Sequence, residues 1–382
     1  MSTSDPDPGR RTAETLFFDL PEELLPFKMR SGETLPRVRL AYEVYGEISP
    51  EKDNVVLLFH ALTGSQHAAG YNPAVEGVER WVEENQTGWW EGFIGPGMGM
   101  DTNHLAVICV NYLGGCYGTT GPSSIDPRTG DRYGPDFPQL HLADIVESQL
   151  ALLDHLGVVK LRGVAGASVG ALLSLSLAAR HPDRVEDVVI LAGGLGSTTL
   201  HRMLNFEQKV AIFNDPDFNG GRYYEGAFPA AGLALARIIG HKSFVSIDAI
   251  RARARNEIID HPYVSHPVES YFWHQGEKLV IRFDPNSYLR IIDAWSNYEL
   301  LEDTGAASHL DALSVCRSQR WHVFTIDSDL CFYPEEQEGL VSSLREAGVP
   351  VEWIKVSSPK GHDAFLTEPH LFEETLRRTL RR

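Results

Sequence analysis

The sharpest chemical signal in the chain is Gly166-Ala167-Ser168-Val169-Gly170, a GxSxG pattern. It follows the apolar run Gly163–Ala165 and leads into the helix-like ALLSLSLAAR. Strand, tight turn and helix together form the context in which a serine hydroxyl is projected as a nucleophile. The turn is strained, its glycines let strand and helix pass closely, and the helix N-terminus favours developing negative charge. An ordinary glycine-rich turn is the bland alternative. A serine hydroxyl needs a base, and the base needs an orienting carboxylate. The apolar run Val323–Ile326 leads into Asp327-Ser328-Asp329, and Val351–Val356 leads into a loop carrying His362. Ser168, either Asp327 or Asp329, and His362 thus follow in the order serine, acid, histidine that suits acyl transfer. With 15 histidines in the chain, only its place after the final strand singles out His362. His60, at the end of an early strand, reads as a structural histidine.

Acyl transfer creates an oxyanion, which needs preorganised backbone N–H donors. One should be Val169, directly after the nucleophile. The other should come from the turn His60-Ala61-Leu62-Thr63-Gly64, with Leu62 as the candidate.

The elements that must position these groups are legible in outline. Asn54–Phe59 and Leu105–Val110 are short, continuous apolar runs, as in strands buried on both faces of a parallel sheet. Arg37–Tyr45 alternates apolar and polar residues and reads as a half-exposed strand. Val188–Leu191 is a further strand, and helical periodicity marks Leu142–Leu156, Ala171–Ala179, Glu336–Ala347 and His370–Leu380. Strand and helix alternate, which argues an α/β fold. The alternation fails across 197–320, where helix-like segments such as Gly232–Ile239 and Asp248–Ile258 dominate. The expected organisation is a flexible tail at 1–15, a discontinuous core at 16–196 and 321–382, and a helical insert at 197–320. The insert would sit over the carboxyl ends of the strands, where open α/β sheets place ligands.

Composition bounds the partners. Apolar residues make up 43% and charged residues 23% of the chain, so it is not a largely disordered one. Acids outnumber bases 52 to 34, giving a net charge of −18. No nucleic acid or anionic membrane is expected to bind by general attraction, and an anionic cosubstrate needs a local cluster of donors. Four scattered cysteines give neither a disulfide framework nor a zinc or redox spacing, so no metal is expected. The polar N-terminus carries no signal-like apolar core, and a cytoplasmic location is the expectation.

Read together, these segments resemble the homoserine O-acetyltransferase family of α/β-hydrolase-fold acyltransferases. The matching blocks include HALTGS at His60–Ser65, GWW at Gly88–Trp90, and ICVNYLGGCYGTTGPSSIDP at Ile108–Pro127. LALARIIGH at Leu233–His241, RFDPNSY at Arg282–Tyr288 and GHDAFL at Gly361–Leu366 belong with them. The resemblance implies acyl transfer from acetyl-CoA, as cosubstrate, to the side-chain hydroxyl of L-homoserine in methionine biosynthesis. It implies no permanently bound cofactor, and a homodimer. It favours Asp329 over Asp327, makes His362 the base, and assigns Arg237 and Asp363 to the amino-acid substrate. A zwitterion needs a cation for its carboxylate and an anion for its ammonium.

The chain departs from the family pattern at several points. Its elbow is GASVGA where the family usually has GGSMGG, and Phe244 stands where a tyrosine is common. Leu330 replaces a tryptophan after the acid. Succinyl-using relatives carry an arginine two positions after the acid; here it is Cys331, which favours acetyl over succinyl. Acylation of another hydroxyl, such as that of serine, succinyl transfer, and simple ester hydrolysis are the competing activities.

Overall fold

The computed structural model describes residues 11–254 and 258–381. Eight strands form one sheet: β1 (Leu16–Asp19), β2 (Arg39–Tyr45), β3 (Val55–Phe59), β4 (Ala106–Val110), β5 (Leu161–Ala167), β6 (Val185–Leu191), β7 (Arg320–Ile326) and β8 (Val351–Val356). Their spatial order is β1-β2-β4-β3-β5-β6-β7-β8. From β4 to β8 every pairing is parallel, whereas β2 runs antiparallel to both β1 and β4. All residues of β3 and β4 are buried. Their side chains alternate between two cores, Leu57 and Ile108 facing one and Leu58 and Val107 the other. Helices α1 (Leu142–His155) and α2 (Val169–Arg180) build the first core with the sheet. The C-terminal helix at Glu373–Leu380 seals the second with Phe372, Leu376 and Leu380.

Two expectations need correction. The alternating pattern of β2 does not mark an exposed face, because Leu40, Ala41, Tyr42 and Glu43 are all buried. Glu43 is tolerated inside because its carboxylate is fully partnered. It receives hydrogen bonds from Tyr45, Thr15 and Asn72 and pairs with His67 at 2.9 Å. The tail expected to be flexible over 1–15 is anchored at 11–15, and its residues 1–10 lie outside the described ones. Arg11 donates to the Ile94 carbonyl and pairs with Glu91. Ala13 donates its N–H to Tyr71, and Thr15 reaches Glu43.

Between β6 and β7 the described residues are helical: α3 (Thr199–Phe213), α4 (Ala230–Phe244), α5 (Ile247–Arg253), α6 (Pro267–Arg282), α7 (Pro285–Ser296), α8 (Leu300–Thr304) and α9 (His309–Ser314). The pattern over Asp248–Ile258 ends its helix at Arg253, and residues 255–257 lie outside the described ones. After β7 come α10 (Pro334–Glu346), α11 (Ala364–Thr367) and α12, the helix at Glu373–Leu380. The helical insert is tied to loops that leave the carboxyl ends of strands. Asp363 donates its N–H to Phe244 at the end of α4, and Ser246 donates to Lys360. Among the described residues no helix is long and apolar enough to cross a membrane.

The elbow between β5 and α2 is tightly packed against backbone. A Cβ on Gly166 would stand 2.0 Å from the Gly170 carbonyl oxygen, and one on Gly170 would stand 2.3 Å from that of Phe59. Both obstacles are backbone and cannot swing aside. Gly170→Ala should therefore destabilise the protein by about 1–3 kcal/mol through overpacking, read as a lower urea midpoint at unchanged slope.

Candidate active site

Ser168, between β5 and α2, has φ 58° and ψ −124°, a positive-φ conformation costly for any residue but glycine. Its N–H is held by the Leu191 carbonyl at 3.1 Å. Val169 opens α2, so its N–H is one of the donors that a helix leaves without an intrahelical partner. Leu62 occupies a central position of the turn closed by Gly64 N–H to the Ala61 carbonyl at 2.9 Å. That closure uses the N–H of Gly64 and not that of Leu62. The two oxyanion candidates thus lie on adjacent strand ends, drawn together by the approach of Gly170 to Phe59 and His60.

Residue order left two acids open, and their surroundings differ. Asp327 is exposed and accepts the Ser358 N–H at 3.0 Å, fastening β7 to the loop after β8. Asp329 is buried, and its Oδ2 meets His362 Nδ1 at 2.7 Å. Its Oδ1 accepts the N–H groups of Cys331 and Phe332 at 2.8 and 2.9 Å. A carboxylate on Nδ1 holds the proton there and leaves Nε2 as the acceptor. The His362 ring lies flat on Phe332 and against the edge of Phe365. Its Nε2 is buried with no hydrogen-bond partner among the described residues, so the structure forms the acid–histidine bond but not the serine–histidine one. His60 is no rival base. It stacks on Tyr112, bonds the Ala61 carbonyl through Nδ1, and is driven down to about 3 by burial.

Arg237 and Asp363 bring opposite charges to the same region. Neither side chain makes a hydrogen bond or ion pair among the described residues. Burial, then the nearby Arg282 cation, lowers the pKa of Arg237. Burial raises that of Asp363, against the pull of His362 and Arg237. Two neighbouring charges of opposite sign, neither held by a hydrogen bond among the described residues, suit a zwitterionic ligand.

Comparison with known proteins fits this geometry. An α/β-hydrolase fold family model matches residues 54–246. A homoserine O-acetyltransferase from Symbiobacterium thermophilum is 40% identical over 93% of this chain and 92% of its own. The chain belongs to the homoserine O-acetyltransferase family. A homoserine O-succinyltransferase from Alkalilimnicola ehrlichii is 38% identical over 92% of this chain and 91% of its own. The crystal structure of homoserine O-acetyltransferase from Bacillus anthracis superposes with a TM-score of 0.86 at 26% identity. It covers 97% of this chain and 98% of that one.

The departures from the family pattern take definite places. Phe244 lies between the two functional groups, 5.3 Å under the Arg237 guanidinium and 6.2 Å from the His362 ring. A cation over an aromatic face partly replaces a lost hydroxyl contact. Ala171 of the altered elbow faces Gly193, where an added Cβ would stand 2.4 Å away, so the larger residue is matched by a glycine opposite. Cys331 is buried beside Asp329, and its carbonyl accepts from His201 Nε2 at 2.7 Å.

Sequence reasoning assigned no role to Glu336, His201 or Arg282. Arg282 opens the RFDPNSY block, which carried no role for it; Glu336 and His201 stand in no distinctive local pattern, and the chain's return brings them to the site. Glu336 lies in the first turn of α10, with one carboxylate oxygen buried and unpartnered. Burial, then the charge of Asp329, pushes its pKa up to about 7 from the ordinary 4.5. The folded chain thus prefers the neutral acid. Stability from this group is fully present below the ordinary value and lost as pH rises through about 7. Glu336→Gln should leave the melting temperature unchanged at about pH 4, below both values, and raise it above pH 8. The gain should be on the order of 1 kcal/mol, since the group is half-exposed and screened.

Proposed function

We propose that this chain transfers the acetyl group of acetyl-CoA to the side-chain hydroxyl of L-homoserine, giving O-acetyl-L-homoserine and CoA. The observation that carries the reading is the buried Asp329–His362 pair, with Arg237 and Asp363 near it and free of hydrogen bonds among the described residues.

His362 Nε2 takes the proton of Ser168, whose Oγ attacks the thioester carbonyl. The N–H groups of Leu62 and Val169 receive the oxyanion. The thioester C–S bond then breaks, and the CoA sulfur leaves with the proton held on His362. Homoserine enters with its carboxylate toward Arg237 and its ammonium toward Asp363. His362 removes its hydroxyl proton, the oxygen attacks the acyl-enzyme, and collapse returns a proton to Ser168. The helical insert shields the ester from water, which would otherwise compete with homoserine.

Succinyl transfer is the second reading, favoured by the similarity to a homoserine O-succinyltransferase. Against it stand the surroundings of Cys331. The thiol is kept neutral by burial and by the carboxylates of Asp329, Asp363 and Glu336, a poor environment for a further carboxylate. The test is a mixture of acetyl-CoA and succinyl-CoA offered with homoserine and serine, its products weighed by mass spectrometry. O-acetylhomoserine should dominate and vanish with Ser168→Ala. Mainly succinylated or serine-derived products would overturn the assignment.

A homodimer in a reducing cytoplasm completes the reading. All four thiols are free. Helix α3 exposes Met203, Phe206 and Phe213 on one face, next to the exposed Leu235 of α4. Such a stripe on a soluble enzyme suits a second copy of the chain. Phe206→Glu should convert the dimer to monomer in light scattering, and an unchanged mass would remove this face from consideration.

A further inference from the structure

One buried cation at the site has no part in the proton relay or in substrate binding as described. Arg282 ends α6, and its side chain is only 13% exposed. Nη1 donates to the Thr63 carbonyl at 2.9 Å and to the Tyr117 hydroxyl at 3.0 Å. Nη2 donates to the Thr63 hydroxyl at 3.3 Å. Nε is buried without a hydrogen bond, and the nearest carboxylate, Glu84, lies 3.9 Å away. A guanidinium is expensive to bury without a close counter-ion. Here two of its three contacts fall on a single residue, and that residue is Thr63.

Thr63 is the other central residue of the Ala61–Gly64 turn, directly after Leu62. The third contact, Tyr117, is itself fixed. Its ring meets Trp81 and Phe283 edge-on at 5.8 and 5.6 Å. The last turn of α6 is held as well, because Arg80 donates to the Val280 carbonyl at 3.0 Å. Arg282 is therefore a rigid strut between the helical insert and the turn that carries one oxyanion donor.

We propose that Arg282 is a positioning residue of the oxyanion hole, bridging the end of α6 to Thr63 so that the Leu62 N–H is fixed before the oxyanion forms. The inference rests on the acyl-transfer reading given above. Preorganisation is the physical reason: a donor ordered in advance costs no reorganisation in the transition state, whereas a mobile turn must be ordered at that moment. A rival role is a second cation for the acceptor's carboxylate, since Arg282 lies close enough to Arg237 to perturb it.

The two half-reactions separate these roles. The oxyanion forms in both, whereas the acceptor is present only in the second. The measurements are CoA thiol release in a single turnover without acceptor, and discharge of the isolated acyl-enzyme by homoserine. Arg282→Gln should slow both by a similar factor, on the order of 10²-fold, and Arg282→Lys should recover part of each. Tyr117→Phe leaves Arg282 and Thr63 in place and should slow both by about 3- to 10-fold. Slowing of discharge alone, or unchanged rates in both steps, overturns the proposal. Should Arg282→Gln melt below the assay temperature, the paired rates of Tyr117→Phe decide by the same criterion. Failure of the unsubstituted protein to release CoA would instead sink the acyl-transfer reading, and the strut with it.

Discussion

The approach of the first turn of α2 to the end of β3 constrains everything else at the site. Gly170 stands where a Cβ would collide with the carbonyl oxygens of both Phe59 and His60. That proximity brings Val169 and the Leu62 turn to one place, and it forces Ser168 into a positive-φ conformation between strand and helix. Neither strand end could recede without breaking the parallel pairing of β3 with β5. The strain at Ser168 is thus held by the most deeply buried part of the sheet, where local relaxation is least available.

Around that fixed point the remaining groups arrive from elements far apart in sequence. Asp329 and His362 come from the ends of β7 and β8, and their pairing is enforced twice. Backbone N–H groups grip the carboxylate, while Phe332 and Phe365 confine the imidazole. The helical insert adds Arg237, Phe244 and Arg282, and backbone hydrogen bonds stitch it to the histidine loop. The insert is therefore more than a cover. It brings the charge of Arg237 near Asp363 and reaches back to Thr63 through Arg282.

The charge balance follows the same logic. A chain of net charge −18 brings Arg237 and Arg282 close enough to act on each other, with Asp363 and Glu84 as the nearby carboxylates. The carboxylates of Asp329, Asp363 and Glu336 lie near Cys331.

Much of this was legible in the residues themselves. Continuous apolar runs announced the buried strands, and a GxSxG between strand and helix announced the elbow, because both depend on nearest neighbours along the chain. Residue order placed an acid and a histidine after the last two strands, and family resemblance preferred Asp329. What sequence periodicity misread was β2, whose polar positions looked exposed although Glu43 is buried among partners from two other segments. Residues 11–15 looked loose for the same reason, their anchors lying 28 to 83 positions away in the chain, from Thr15 on Glu43 to Arg11 on Ile94. Only the tertiary structure decided that Asp329 touches His362 while Asp327 fastens a loop, and that Arg282 reaches Thr63. A local pattern reports which face of an element is apolar; which polar groups meet inside is set by how distant elements pack.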